Sequence, residues 1–168
     1  VTLTLILTRH AKSDWGTPGK PDFDRQLNDR GRRSARALGE WLATNGPHPA
    51  EVMLSGALRT VETWEGMAKA FASPPPVRTD KRLYDAPAER MLEVLRDAEA
   101  NPVLLIGHNP GICEFASRLA IAPPTNERFA DYPTGATTVF RFFRDTWRDV
   151  GWDEGEVVEF ITPRQLMD

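Results

Sequence analysis

Three apolar runs of this 168-residue chain break off abruptly into side chains able to do chemistry. Leu3 to Leu7 gives way to Thr8 and then Arg9-His10; Glu51 to Leu54 gives way to Ser55-Gly56-Ala57-Leu58-Arg59; Pro102 to Ile106 gives way to Gly107-His108-Asn109-Pro110-Gly111. Arginine presents a planar fork of N–H donors that fits the oxygens of a phosphoryl group, and a neutral imidazole is a nucleophile able to attack phosphorus. Asn109 reads as a helix N-cap, Pro110 as the first helical residue and Gly111 as a point where a ligand approaches the backbone. Ser55 reads as the cap of a second helix, with Arg59 in its first turns. Helix starts direct free N–H groups at anions. Two arginines, two histidines and two helix starts suit a dianionic, tetrahedral phosphoryl group, and the cationic side chains carry the charge that a metal would otherwise supply.

The intervening segments say what must position these groups. The strands are Leu3 to Leu7, Glu51 to Leu54, a weak Val77 to Thr79, and the continuous run Pro102 to Ile106, which has the character of a parallel strand buried on both faces. Between them apolar residues recur at helical spacing: Ala35, Leu38, Trp41 and Leu42 after Asn28; Leu58, Val61, Trp64, Ala68 and Phe71 after Gly56; Met91, Leu92, Leu95 and Ala98; then Ile112, Phe115, Ala116 and Leu119. Four helices alternating with four strands imply an α/β fold with a mostly parallel sheet, in which ligands bind beyond the carboxyl ends of the strands. Two more strands, Thr137 to Phe143 and Glu156 to Thr162, belong at a sheet edge, where one can run antiparallel. Prolines mark joints rather than a long linker, so residues 1–168 are expected to form one domain.

Composition narrows the partners. Charged residues make up 27% and hydrophobic residues 40% of the chain, as in folded globular proteins, and a net charge of −3 with interspersed signs argues against a nucleic-acid footprint. No apolar run is long enough to cross a bilayer and no basic, apolar leader is present, so no membrane association is expected. Cys113 is the single cysteine, which excludes an internal disulfide and a Cys-His zinc cluster and favours a reducing, cytoplasmic setting. No metal or other cofactor is expected.

The segments "LTRHAKSDW", "LSGALRTVETW" and "LLIGHNPGI", in that order and spacing, resemble the histidine phosphatase superfamily, the group of phosphoglycerate mutase and acid phosphatase. More closely, the chain is similar to the small bacterial phosphohistidine phosphatases of the SixA type, through "DFDRQLNDRGRRSA", "LYDAPAERMLEVL", "YPTGATTVF" and "ITPRQL". The resemblance implies a three-layer α/β/α sandwich like that of phosphoglycerate mutase. It also implies that His10 is the nucleophile that becomes phosphorylated, with Arg9, Arg59 and His108 completing the phosphate pocket and Arg25 reaching the substrate. Ser13 and Asn109 are further candidates for substrate contact. Larger relatives carry a helical cap insertion before the fourth strand; here a single helix fills the space between Leu83 and Val103, which implies an open pocket able to admit a protein.

Two departures stand out. The usual Arg-His-Gly reads Arg9-His10-Ala11, and the position where many relatives place a glutamate as general acid reads Leu83-Tyr84-Asp85. A missing or short acid biases an enzyme toward easy leaving groups such as the imidazole of phosphohistidine, because an alkoxide needs a proton and a phosphoramidate is weak. An acid at Asp85 requires burial or neighbouring carboxylates to keep it protonated, against the pull of nearby arginines.

The expected activity is a metal-independent phosphatase acting through phosphohistidine on His10, with a histidine-phosphorylated phosphotransfer protein as substrate. The alternatives are a phosphomonoesterase for a small phosphorylated metabolite, a mutase, and a non-catalytic phosphoryl-binding module. Structural roles are the simpler reading elsewhere: His48 in a surface loop, Cys113 as a small buried residue, and Trp15, Trp41, Trp64, Trp147 and Trp152 as core or half-buried anchors.

Overall fold

In the computed structural model, which describes residues 1–15 and 17–167, alternation of apolar side chains builds a central sheet with a core on each face. Along β1 (Leu3–Arg9), Leu5 and Leu7 point to one core and Ile6 to the other; along β4 (Val103–Gly107), Val103 and Leu105 alternate with Leu104 and Ile106 in the same way. This period of two is what a sheet covered on both faces demands. One face is covered by α1 (Asp29–Asn45) and α2 (Leu58–Ala68), the other by α3 (Ala88–Leu95) and α4 (Gly111–Leu119).

The remaining strands are β2 (Glu51–Leu54), β3 (Val77–Thr79), β5 (Thr137–Phe142) and β6 (Glu156–Ile161), and the sheet order is β3-β2-β4-β1-β5-β6. The first four strands are mutually parallel. Only β5 runs against them, paired with β1 on one side and β6 on the other. The α/β sandwich is as the sequence implied, as is the placing of the last two strands at one side of the sheet with one of them antiparallel. A short fifth helix, α5 (Pro163–Met167), packs against α1 and was not anticipated. No helix among the described residues is long and apolar enough to cross a membrane.

One helix buries a wider face than its pattern suggested. Of the apolar stripe of α2, Trp64 is buried and Val61 and Ala68 pack against the core, as does Phe71 just beyond the helix, but Arg59, Thr60, Thr63 and Met67 are buried as well. Thr60 and Thr63 satisfy their hydroxyls on helix carbonyls, Ala57 O at 2.7 Å and Arg59 O at 2.7 Å, and so tolerate burial. That wider face takes Arg59 inward.

Candidate active site

Because β1 and β4 are parallel neighbours, their carboxyl ends coincide, with Arg9 opposite Gly107 in the register. The backbone of His10 continues the pairing by donating to Gly107 O at 3.1 Å. His10 and His108 thus emerge side by side, their ring centroids 5.3 Å apart. Ala11 is fully buried, its methyl group packed into the α1/α2 core and its N–H donated to Thr63 Oγ1 at 2.9 Å, so the departure from glycine costs the loop no space.

His10 is almost wholly buried, and its Nδ1 lies 2.7 Å from Ala11 O. A carbonyl oxygen only accepts, so Nδ1 holds the proton and Nε2 the lone pair. Burial, the largest influence, drives the imidazole pKa down to about 3, with the positive Arg9 and Arg59 acting in the same direction. His10 is neutral at pH 7. His108 is also buried; desolvation first and Arg59 second bring it to about 4. Its Nε2 meets Ser55 Oγ at 2.7 Å, and its Nδ1 has no hydrogen-bond partner among the described residues.

Ser55 therefore does not cap α2. That helix begins after Ala57 without a side-chain cap, and the Ser55 hydroxyl is turned toward His108 and Thr60. Asn109 likewise does not cap α4, which begins after Pro110; its amide nitrogen donates to Asp131 O at 3.0 Å and Tyr132 O at 3.1 Å. It ties the 131–132 loop to the strand end, so its N–H groups are spent on carbonyls rather than left for a ligand. Gly111 is needed for backbone approach, but the partner is Ala86 O, which a β-carbon there would meet at 1.8 Å. The segment carrying Asp85 crosses the start of α4 at that point.

Arg9, at the end of β1, donates from Nη1 to Tyr132 O at 3.0 Å, and its buried Nε has no partner among the described residues; burial lowers its pKa from the ordinary arginine value. Arg59 is 3% exposed and reaches Asp22, donating to its carbonyl at 2.8 Å and its carboxylate at 3.1 Å. Arg25 arrives through a different route. Residues 12–14 zip against 26–28, with Asn28 N on Lys12 O at 3.0 Å and Asp14 N on Gln26 O at 2.8 Å, and Gly31 lets α1 start directly over Lys12 O, which a β-carbon would meet at 2.0 Å. Asn28 caps α1 as expected, accepting from Gly31 N at 2.8 Å. Arg25 then bonds Ser13 Oγ at 2.7 Å and Asp22 Oδ1 at 3.0 Å. Ser13 is thus buried beneath Arg25 and orients it.

Arg9, His10, Arg25, Arg59, Asp85 and His108 all line one open cavity of about 450 Å³, together with Ser13 and Asn109. The sequence-predicted set is brought together in full. Asp85 differs from the others in being exposed and in a left-handed backbone conformation (φ 50°).

Several residues at the cavity were missed, Asp22, Tyr84 and Trp15 among them. Asp22 bridges Arg59, Arg25 and Tyr84, and the Tyr84 hydroxyl, donating at 2.5 Å, is the leading cause of its pKa falling to about 2, with Arg59 and Arg25 adding to it. It is a carboxylate at neutral pH. Tyr84 also packs edge-on to His108, with centroids 5.5 Å apart. Trp15, read as an anchor, is 80% exposed and lies under the Arg25 guanidinium at 3.6 Å. The i,i+3 pairing of Asp22 with Arg25 was the available signal for the first; Tyr84 and Trp15 carried none that separates them from packing residues. Cys113 donates to Ala130 O at 3.0 Å and burial raises its pKa, a structural thiol rather than an activated one. His48 is an exposed loop residue, as expected.

Comparison with known proteins places the chain in a family. The model of the histidine phosphatase superfamily (branch 1) matches residues 5–88, the half of the chain that carries Arg9, His10, Arg25, Arg59 and Asp85. The chain belongs to the histidine phosphatase superfamily. An uncharacterized protein of Mycobacterium leprae is 31% identical over 93% of this chain and 99% of its own length. The structure assigned as phosphohistidine phosphatase SixA from Nakamurella multipartitia superposes with a TM-score of 0.83 at 27% identity, covering 97% of both chains. That assigned as SixA from Agrobacterium tumefaciens gives 0.76 at 26%, covering 96% of this chain and 98% of its own. The chain is a phosphatase of the SixA-like branch of the family, acting on a phosphorylated substrate.

Proposed function

We propose that the protein is a protein phosphohistidine phosphatase that works through a covalent phosphohistidine on His10. The observation that carries the reading is the hydrogen bond from His10 Nδ1 to Ala11 O, which holds the buried, neutral ring with its Nε2 lone pair as nucleophile. In-line attack by Nε2 forms the N–P bond as the substrate's bond to phosphorus breaks, and water then attacks phosphorus and returns His10 to its neutral state. Arg9 and Arg59, as fixed cations, and His108, as a neutral ring, hold the equatorial oxygens and stabilise the charge of the transition state. The Ser55 hydroxyl meets His108 Nε2 at 2.7 Å and fixes the ring, whose Nδ1 has no protein partner among the described residues. Arg25 and Ser13 serve the rim of the pocket. These side chains supply positive charge and donors for which no metal is required.

The leaving group argues for phosphohistidine. Asp85 is exposed and Asp22 is held ionised, so neither is arranged to give a proton to an alkoxide, whereas imidazole leaves from phosphorus far more readily. The single eight-residue helix α3 between Leu83 and Val103 leaves the cavity open to a protein surface. The SixA assignments of the two solved relatives point the same way.

The test is rapid-quench labelling with an activated aryl phosphate and with a histidine-phosphorylated protein, in excess chelator, for the parent and for His10→Ala. An acid-labile phosphoenzyme in the parent alone, with faster turnover of the phosphorylated protein than of small phosphomonoesters, is the expected result. Faster turnover of a small metabolite overturns the substrate class; phosphate binding without labelling or turnover overturns catalysis in favour of a binding module.

A further inference from the structure

Beside the catalytic cavity lies a second, larger one of about 640 Å³, and the two share Lys12 and Thr134 as a common wall. Four segments distant in sequence each send a cation to it: Lys12 after β1, Arg30 in the first turn of α1, Arg128, and Arg164 in α5. None of the described residues lining it is acidic, although the chain as a whole carries a net charge of −3. Elsewhere on the surface arginines sit against carboxylates, as Arg82 does with Asp80 and Asp97, Arg141 with Glu156 and Arg144 with Glu154. Here Arg128 pairs with Asp131, but Lys12, Arg30 and Arg164 form no ion pair among the described residues. The polar floor includes Ser34 and Thr162, both nearly buried.

Gathering like charges without counter-charges raises the energy of the free protein, and an anionic ligand relieves it. A single compact anion meets two or three cations at one point. Cations spread around an open groove that adjoins the phosphoryl pocket fit several carboxylates carried on one chain. On the reading of the protein as a protein phosphohistidine phosphatase, we propose that this basic groove receives an acidic segment of the phosphorylated partner, next to the phosphohistidine that enters the catalytic cavity.

The test compares two synthetic phosphohistidine peptides of equal length, one with glutamates and one with glutamines flanking the phosphohistidine, on the parent enzyme and on the Arg30→Gln/Arg164→Gln double variant. Both substituted side chains are exposed and lie outside the catalytic cavity, so turnover of an aryl phosphate by the double variant should stay at the parent level and report its folding. The expected result is a preference of the parent for the glutamate peptide, expressed in KM, weakened by salt, and reduced about three- to tenfold in the double variant, as two partly screened charge contacts allow. Equal use of both peptides by both enzymes overturns the groove while leaving the phosphatase reading intact. A variant effect on a small bis-phosphorylated ester and not on the peptides also overturns it, because the groove would then serve a metabolite. Turnover of the aryl phosphate with no hydrolysis of either peptide overturns the protein-phosphohistidine reading itself.

Discussion

The floor and the rim of the catalytic cavity are built in opposite ways. On the floor, Arg9, His10 and His108 stand at the ends of adjacent parallel strands, and Arg59 in the first turn of α2; their contacts run mainly to backbone carbonyls and buried hydroxyls. On the rim, Trp15, Asp22, Arg25 and Tyr84 come from the connecting segments and hold one another through half-buried and exposed side chains. A buried group held on backbone carbonyls has little freedom left to lose when the substrate arrives, while a rim of paired side chains can open, close and exchange partners. The floor is therefore where rate should be decided and the rim where binding should be tuned.

Substitutions can break that division. Arg59→Ala should lower kcat/KM for an aryl phosphate about 10²- to 10³-fold, the usual consequence of removing one preorganised donor, and Arg59→Lys should recover only part because an ammonium cannot reproduce the fork. A loss confined to KM would place Arg59 with the rim.

Acid should act on the floor next. With His10 at about 3 and His108 at about 4, both rings stay neutral as pH falls from 8 to 5, and kcat/KM corrected for substrate ionisation should hold level there and drop below about pH 4. Between their depressed values and the ordinary 6.5, the unfolded chain binds protons that the folded chain does not, so stability rises with pH through that window and levels off above it. Following the imidazole C–H resonances by NMR checks this: a His10 or His108 signal titrating near 6.5 would show that burial does not control the floor.

The rim should respond more weakly. Tyr84→Phe removes the leading influence on Asp22 and Trp15→Ala removes the surface under Arg25; each should raise KM two- to fivefold and leave kcat nearly unchanged, in keeping with contacts worth about 1 kcal/mol or less. The smallest effect should come from Asp85→Asn, with rates changed less than about twofold for activated and unactivated phosphates alike. A tenfold loss confined to alkyl phosphates would instead make Asp85 a proton donor and sharpen the comparison by giving the rim a chemical step.

The same division separates what could be read from the chain and what could not. Arg9, His10, Arg59 and His108 were legible because each follows an apolar run, and buried strands announce themselves through continuous hydrophobicity and deliver their next residues to one edge of the sheet. The cap of α1 at Asn28 was legible for a similar reason, being local. Ser55 and Asn109 were also read as caps, since their residue types allow it, yet long-range partners claimed both side chains: His108, 53 residues away, and the loop carbonyls of Asp131 and Tyr132. Trp15, Asp22 and Tyr84 looked like ordinary loop residues because what distinguishes them is only whom they meet.

Sequence alone thus determined the α/β alternation, the strand ends that carry the nitrogen-rich side chains and the family to which they belong, because hydrophobic periodicity and short motifs are properties of neighbouring residues. Tertiary structure decided the sheet order β3-β2-β4-β1-β5-β6, the neutral state and tautomer of His10, the ionised state of Asp22, the exposure of Asp85 and the gathering of Lys12, Arg30, Arg128 and Arg164 around one groove. Each of these depends on burial, field or contact between residues far apart in the chain, and none of those quantities exists until the chain has folded.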